Sequence, residues 1–407
     1  RTLEELRQRN QLDGKRLIVV SSAESEMISA DHTRYLATLD PEARFFWSQS
    51  LEQDEWVGRE RALRFCWSEY GGEATAAPQP RRVNIIGPSL GCFNAPADLH
   101  EIKRLVAGAG GELNLIYPYE SRLADTPRLA DAAVNVVLYR EFGEGLAQDL
   151  GRPYLFAPFG IRGTTAFVQQ LGDLLGTRAQ ADAFIEQEKQ STLRVVWDMW
   201  KGPQSDWFAF VDYAAVASRT YVEGLRAFLR DELGMKEVWA ASRPRAAEDM
   251  DNIAIRKRLH ERAPAFVFGS INEKIYLAEA NSRATFYMPA AFPGPVVRRT
   301  FGTPFVGYAG AAYLMQELVN RFYETVFNFL PVETLDSAER ASKAQVQTMP
   351  WTQEAAELLQ SAMENVPYLA RISANRALRQ AAEQLARAAD APEVTRDMVE
   401  QALQAEH

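Results

Sequence analysis

Cysteine and histidine are scarce in this 407-residue chain: it has two cysteines, Cys66 and Cys92, and four histidines, His32, His100, His260 and His407. Two thiols exclude a disulfide framework and fit a reducing compartment, so a cytoplasmic location is expected. No Ser–His–Asp order and no zinc-ligand spacing is present. Long apolar runs are lacking too: none reaches the ~18 residues that a membrane span needs. Positive charge is in deficit, with a formal net charge of −9, which argues against nucleic acid as a main partner. The remaining composition, 47% hydrophobic and 24% charged, is that of a globular protein rather than a disordered or fibrous one. The length predicts about two or three domains. The chain opens at Arg1 with RTLEELRQRN, which reads as the middle of an amphipathic helix. No signal peptide is visible, and the natural N-terminus is expected to lie upstream.

What is present is an alternation of strands and helices. Leu17–Val20 is a β-branched run leading into Ser/Ala turn chemistry, as in a buried parallel strand. A strand-like FFW follows, then a helix from about Glu52 with an acidic first turn, closed by Gly71–Gly72. ATAAPQPRR reads as a linker and a domain boundary. RRVNIIGPSLGCFNAPADLHEIKRLVAGAGGELNLIYP then reads strand, glycine-rich turn, helix, strand, which is a βαβ unit. The rhythm recurs through VNVVLYREFGEGLA, after a long helix over Thr177–Trp200, through WFAFVDYAAVAS, and again in RAPAFVFGSINEKIYLAE. This predicts an α/β protein of several Rossmann-like lobes with parallel sheets, ligands sitting at the carboxyl ends of the strands. The assigned segments are a partial first lobe over 1–80, a second over 81–200, a third over 201–300, a return helix within 301–335, and an Ala-rich all-α appendage over 345–407 expected to act as a separable lid.

Several residues are candidates for chemistry. The turn GPSLGCFN, Gly87–Asn94, could offer backbone N–H groups to an anion. Its spacing is neither GxGxxG nor GxxxxGKS, so nucleotide binding is not indicated, and the plainer reading is a tight strand–helix turn. Cys92 within it reads as a small buried hydrophobe, as does Cys66; a single thiol cannot hold a four-ligand iron–sulfur cluster. His32 and His100 read as surface or capping residues. Three carboxylates stand in apolar or aromatic surroundings: Asp206 before Trp207, Asp212 at the end of the WFAFV strand, and Glu273 in a strand-to-helix turn. Burial there would raise the pKa and make a proton donor; each also reads as a helix cap or surface acid. Arg298 and Arg299 form a pair suited to a carboxylate or to a solvated basic turn. Gly307, Tyr308 and Gly310 open an apolar helix, where glycine permits close approach of a ligand carboxylate to unpaired N–H groups; a helix–helix contact is the alternative.

VNIIGPSLGCFNAPADLHEIKRLV, LADAAVNVVLYREFGEGLA, FGSINEKIYLAE, the run FPGPVVRRTFGTPFVGYAG through LMQELVN, and VPYLARISANRALRQAAE, taken in this order, resemble the Z subunits of the chlorophyllide a reductases. These are nitrogenase-like enzymes of bacteriochlorophyll synthesis, and the likeness covers nearly the whole chain. It implies a heterotetramer of this subunit with a homologous Y subunit, built like the catalytic component of nitrogenase, each chain with three Rossmann-like lobes. It implies a 4Fe–4S cluster at the interface with the partner subunit, and a separate ATP-hydrolysing iron–sulfur component, X, that delivers electrons one at a time. The substrate implied is chlorophyllide a, reduced at its C7=C8 double bond. The alternative is the B subunit of dark-operative protochlorophyllide reductase. There, a histidine stands at the position of Asn320, and the pattern of Tyr308, Gln316 and Asn320 is closer to the Z subunits. An aspartate of the B subunit is the proton donor in that relative, in a loop comparable to that of Asp206. The family's cluster-ligating cysteine lies in an N-terminal segment of about eighty residues that has no counterpart in this sequence. Two further classes remain, a non-redox tetrapyrrole clamp and a cofactor-assembly scaffold. Bound chlorin without iron would mark the clamp, and chlorin with iron–sulfur absorbance the enzyme.

Overall fold

The computed structural model describes residues 5–405 except 7, 10, 12–14, 29–31, 40–41, 73–76, 90, 201–207, 244–249, 283–284, 292–302, 330–348, 365–370 and 390. Two compact units divide the chain, residues 1–325 and 326–407.

The first unit begins with a parallel pair, β1 (Ile18–Val20) and β2 (Arg44–Phe46), interleaved with α1 (Ala23–Met27) and α2 (His32–Leu39). Helix α3 (Glu55–Tyr70) follows. Its N-cap is Asp54, whose carboxylate accepts from Trp56 N at 3.0 Å and Val57 N at 3.1 Å, satisfying two of the free N–H groups of a helix start.

The second lobe comprises β3 (Gln79–Ile86), α4 (Ala95–Gly108), β4 (Glu112–Tyr117), a 3₁₀ stretch (Leu123–Asp131), β5 (Ala132–Val137), α5 (Arg140–Asp149), β6 (Tyr154–Phe156), α6 (Gly160–Leu175), α7 (Arg178–Gln190) and α8 (Thr192–Trp200). Its four strands are parallel, in the order β4-β3-β5-β6. Val83, Ile85 and Ile86 of β3 are fully buried, because helices cover both faces of a parallel sheet. The third lobe comprises β7 (Asp212–Ser218), α9 (Arg219–Leu225), β8 (Lys236–Arg243), α10 (Asn252–Glu261), β9 (Phe266–Gly269), α11 (Ile271–Glu279) and β10 (Phe286–Pro289), in the parallel order β10-β9-β7-β8. In both sheets the winding reverses between neighbouring central strands, β3/β5 in one and β7/β9 in the other. Crevices open outside the carboxyl ends of strands at such reversals. The long helix α12 (Gly307–Phe329) ends this part of the chain.

Two local readings of the sequence are corrected. The helix expected over Thr177–Trp200 is two helices, because Ser191 leaves helical geometry at φ −113°, ψ −92° and its hydroxyl donates back to the Gln187 carbonyl at 2.9 Å. The strand expected at WFAFV begins instead at Asp212: Phe208–Phe210 is a 3₁₀ turn that buries Phe208 and leaves Phe210 87% exposed.

The second unit has a core of its own. Helices α13 (Gln353–Glu364), α14 (Arg371–Ala388) and α15 (Arg396–Ala405) bury Ala355, Leu359, Leu378, Ala382, Val394 and Val399.

Candidate functional site

The two winding reversals face one cavity of about 340 Å³. The contributing segments form or follow the carboxyl ends of strands, apart from Glu55 and Trp56 at the start of α3 and Asn252 at the start of α10. Cys92 and Phe93 come after β3, Tyr139 and Glu141 after β5, Ser270, Asn272 and Glu273 after β9, while Ser218 ends β7 and Tyr221 follows it. Gly87 makes the first of these turns possible: its φ of +107° favours glycine.

Glu141 is nearly fully buried. Its Oε2 accepts from Thr220 N at 3.1 Å and Thr220 Oγ1 at 2.5 Å, while Oε1 has no hydrogen-bond partner. Burial pushes this carboxyl above its ordinary range, against the hydrogen bonds from Thr220. Cys92 Sγ lies 3.3 Å from Ser89 Oγ and 3.5 Å from Arg59 Nη1; burial raises its pKa, so it is a neutral thiol. Arg59 pairs with Glu55 and lies over the Trp56 ring.

Behind the cavity wall Asp98, fully buried in the first turn of α4, ties three elements together. Its Oδ1 accepts from Phe305 N at 2.8 Å. Its Oδ2 takes the Tyr221 hydroxyl and lies 3.3 Å from that of Tyr139. Burial drives the Asp98 pKa up to about 7, opposed by hydrogen bonds from Tyr221, Phe305, Val306 and Tyr139.

One turn along α4, Glu101 Oε1 accepts from Ala309 N at 3.1 Å, and Arg104 bridges Glu101 and Glu188 at 2.8 and 2.6 Å. A carboxylate therefore does meet the glycine-opened end of α12, and it belongs to the chain itself. Gly307 has φ +75° and packs on the Glu101 side chain, and Gly310 packs on the backbone of Phe305. Tyr308 is fully buried, its hydroxyl 2.8 Å from Thr165 Oγ1. Asn320 and Gln316 are exposed on α12.

Of the carboxylates singled out in the sequence, Glu273 lines the cavity. It is buried, and its Oε2 caps α11 by accepting from Ser270 N and Oγ, both at 2.7 Å. Asp212 does not join it: it opens β7 rather than ending a strand, at the edge opposite the cavity, and holds Ala265 N at 2.7 Å and Arg262 Nη2 at 3.1 Å. Asp206, Arg298 and Arg299 lie outside the described residues. Sequence reasoning passed over Glu141 and Asp98. Glu141 carried the same signal as Glu273, an acid just past a buried strand; Asp98 carried no signal beyond a helix start.

The resemblance implies an iron–sulfur cluster, which needs four ligands. The two thiols do not fit one: Cys92 is held by Ser89 and Arg59, and Cys66 sits beside Tyr117. Among the described residues no three His, Cys, Asp or Glu side chains converge on a metal position. The purified 407-residue chain is expected to carry far less than the about four irons of one cluster; iron analysis returning a full complement would contradict this. Nor is any helix among the described residues long and apolar enough to cross a membrane.

Parallel sheets with facing carboxyl-end crevices define a multi-lobed α/β protein, and the comparisons give its family. Residues 1–323 match nitrogenase component 1 type oxidoreductase, and the chain belongs to that family. Among solved structures, nitrogenase Cp1 at pH 6.5 superposes with a TM-score of 0.65 over 82% of this chain and 81% of its own, at 16% identity, a likeness of fold. Among curated relatives, the light-independent protochlorophyllide reductase B subunit of Gloeobacter violaceus is 25% identical over 299 residues, 66% of this chain and 58% of that protein. The corresponding B subunit of Heliobacterium modesticaldum is 26% identical over 384 residues, 80% of this chain and 69% of that protein. That of Chloroflexus aurantiacus reaches 34% over 179 residues, 39% of this chain and 32% of that protein. The chain thus spans 58% of the length of the first of these relatives.

Proposed function

We propose that this chain is one subunit of the catalytic component of an ATP-dependent tetrapyrrole reductase, and that its substrate is chlorophyllide a, reduced at the C7=C8 double bond. The observation that carries the reading is the family match across residues 1–323, joined to relatives named as protochlorophyllide reductase subunits. The choice of chlorophyllide a rests on the sequence blocks that resemble the Z subunits and on Asn320 in α12. Protochlorophyllide is the second reading, favoured by the names of those relatives.

The reaction adds two electrons and two protons across a carbon–carbon double bond. In this proposal the electrons come from the ATP-hydrolysing component X, and a 4Fe–4S cluster at the interface with the homologous Y subunit supplies the one-electron chemistry, its ligands coming from outside the described residues. This chain would contribute pigment binding and a proton. Asp206, beside Trp207, is the proposed donor, since an apolar neighbour keeps a carboxyl protonated nearer neutral pH. Glu273 is the reserve. Asp212 is set aside, because Ala265 and Arg262 already engage it. Arg298 and Arg299 are proposed to hold the pigment's carboxylate.

Asp206→Asn is expected to keep pigment binding and slow turnover; unchanged turnover with intact electron delivery would remove Asp206 from the reaction. The assembly is tested by anaerobic co-purification. A second, cysteine-richer homologous chain should copurify, with iron–sulfur and chlorin absorbance together. Chlorin without iron would point to a clamp that performs no redox chemistry.

A further inference from the structure

The geometry points to the cleft beside the open edge of β6 as a site that captures the C-terminal end of an extended peptide, with Arg140 holding its carboxylate. A cavity of about 350 Å³ lies there, walled by β6 and the turn after it, by α6, and by α9 with Ala227 just past it. β6 is the last strand of its sheet and pairs with β5 alone. Pro153 O accepts from Asn135 N of β5, and Ala157 N donates to Val137 O, both at 2.9 Å. In a parallel ladder Leu155 then faces β5 as well, and the main-chain groups of Tyr154 and Phe156 turn outward. They have no partner among the described residues. Such an edge accepts a further strand through main-chain hydrogen bonds. Arg140, at the start of α5, supplies the charge. Among the described lining residues it is the one cation, and Glu223 the one acid. Its guanidinium lies over the Phe156 ring, 3.8 Å from the centroid, and Nη1 donates to Glu223 Oε2 at 2.5 Å. Glu223 also accepts from Arg219 Nε at 2.8 Å, so it offsets the charge of Arg140 only in part. Glu144 engages the Tyr154 hydroxyl, at 3.4 Å, rather than Arg140. Nε and Nη2 of Arg140 make no hydrogen bond among the described residues, and its side chain is 31% exposed. That edge of a guanidinium matches a carboxylate bidentately. The N–H groups opening α6 are taken by Glu232, which leaves Arg140 as the anchor. Leu155, Phe159, Ala166 and Phe167 give apolar walls for the last side chain. The three residues of β6 span about 10 Å, enough to pair with about three residues of a guest strand. This inference does not depend on which pigment the protein reduces.

The probe is the tripeptide acetyl-Ala-Ala-Leu with a free C-terminal carboxylate, titrated calorimetrically into the whole chain. It should bind and raise the thermal unfolding midpoint by mass action. The same peptide with a C-terminal amide should bind at least about tenfold more weakly, the worth of one charge-assisted hydrogen bond. Acetyl-leucine alone, which keeps the carboxylate and the side chain but cannot pair along β6, should also bind at least about tenfold more weakly. Two variants locate the site. Arg140→Lys keeps the charge but loses the fork and should weaken tripeptide binding. Ala166→Trp, at an exposed position of α6, should fill the cavity and abolish binding while the chain stays folded. The comparison of ligands on the wild-type chain needs no variant to fold. Absence of tripeptide binding, equal binding of acid and amide, or unchanged binding by Ala166→Trp would each overturn the assignment. Acetyl-leucine binding as tightly as the tripeptide would overturn it too, and mark a site for free small carboxylates instead.

Discussion

Asp98→Ala is expected to destabilise the first unit by on the order of 4 kcal/mol, because it strands several buried donors at once. The Phe305 amide and the Tyr221 hydroxyl lose a partner, and Tyr139 loses its nearby acceptor, all within the core. The loss falls where α4, α9 and the segment leading into α12 meet, so the lobes lose their shared fastening rather than one local contact. Asp98→Asn keeps the shape and one acceptor and should cost less. The pH dependence adds a sign. The folded carboxyl titrates at about 7, above an unfolded value near 4. Between those values the native state holds a proton that the unfolded chain has released. Stability from this group is therefore fully present below about pH 4 and declines by up to about 1.4 kcal/mol per pH unit until about pH 7. Denaturant titrations of wild type and Asp98→Asn between these limits should show the wild-type advantage shrinking as pH rises. A growing advantage would mean that the four hydrogen bonds, not burial, dominate this carboxyl.

Gly307→Val should cost about 3 kcal/mol or more, from backbone strain and overpacking together. The residue sits at φ +75°, where a β-branched side chain is strained, and its side chain would enter the space of Glu101. Displacing Glu101 also releases Ala309 N–H and disturbs the Arg104 bridge to Glu188. Gly58 provides the control. It lies within α3, and a Cβ there would meet nothing within 4 Å. Gly58→Ala should be neutral or stabilising by up to about 1 kcal/mol. Equal effects at the two positions would show that the end of α12 is not fitted to Glu101.

The contrast between these glycines marks what the sequence could carry. Strand–helix alternation was legible because a strand covered on both faces must be a short apolar run, as in VNII of β3 and FVFG of β9. The crevice at the carboxyl ends followed from that alternation alone. The partner of Gly307 was not legible. A helix opened by glycine signals close approach, but nothing in the local sequence says that the approaching group is Glu101, some two hundred residues earlier. Asp212 was misplaced for a similar reason. WFAFV has the composition of a strand, and only the tertiary arrangement, with Phe210 in solvent and Asp212 gripping Ala265, shows where the sheet starts. Glu141 could have been found. It follows a buried strand as Glu273 does, and was hidden by the charged neighbours in YREFGEG.

The central claim, that this chain completes a reductase acting on chlorophyllide a, is tested most directly by reconstitution. The chain, its homologous partner and the ATP-dependent iron–sulfur component are combined anaerobically, with chlorophyllide a or protochlorophyllide supplied separately, and the pigment spectrum is followed. The account predicts that chlorophyllide a gives way to a bacteriochlorin spectrum, only with ATP and only when this chain is present. Conversion of protochlorophyllide with chlorophyllide a left untouched, or conversion that proceeds without this chain, would contradict it.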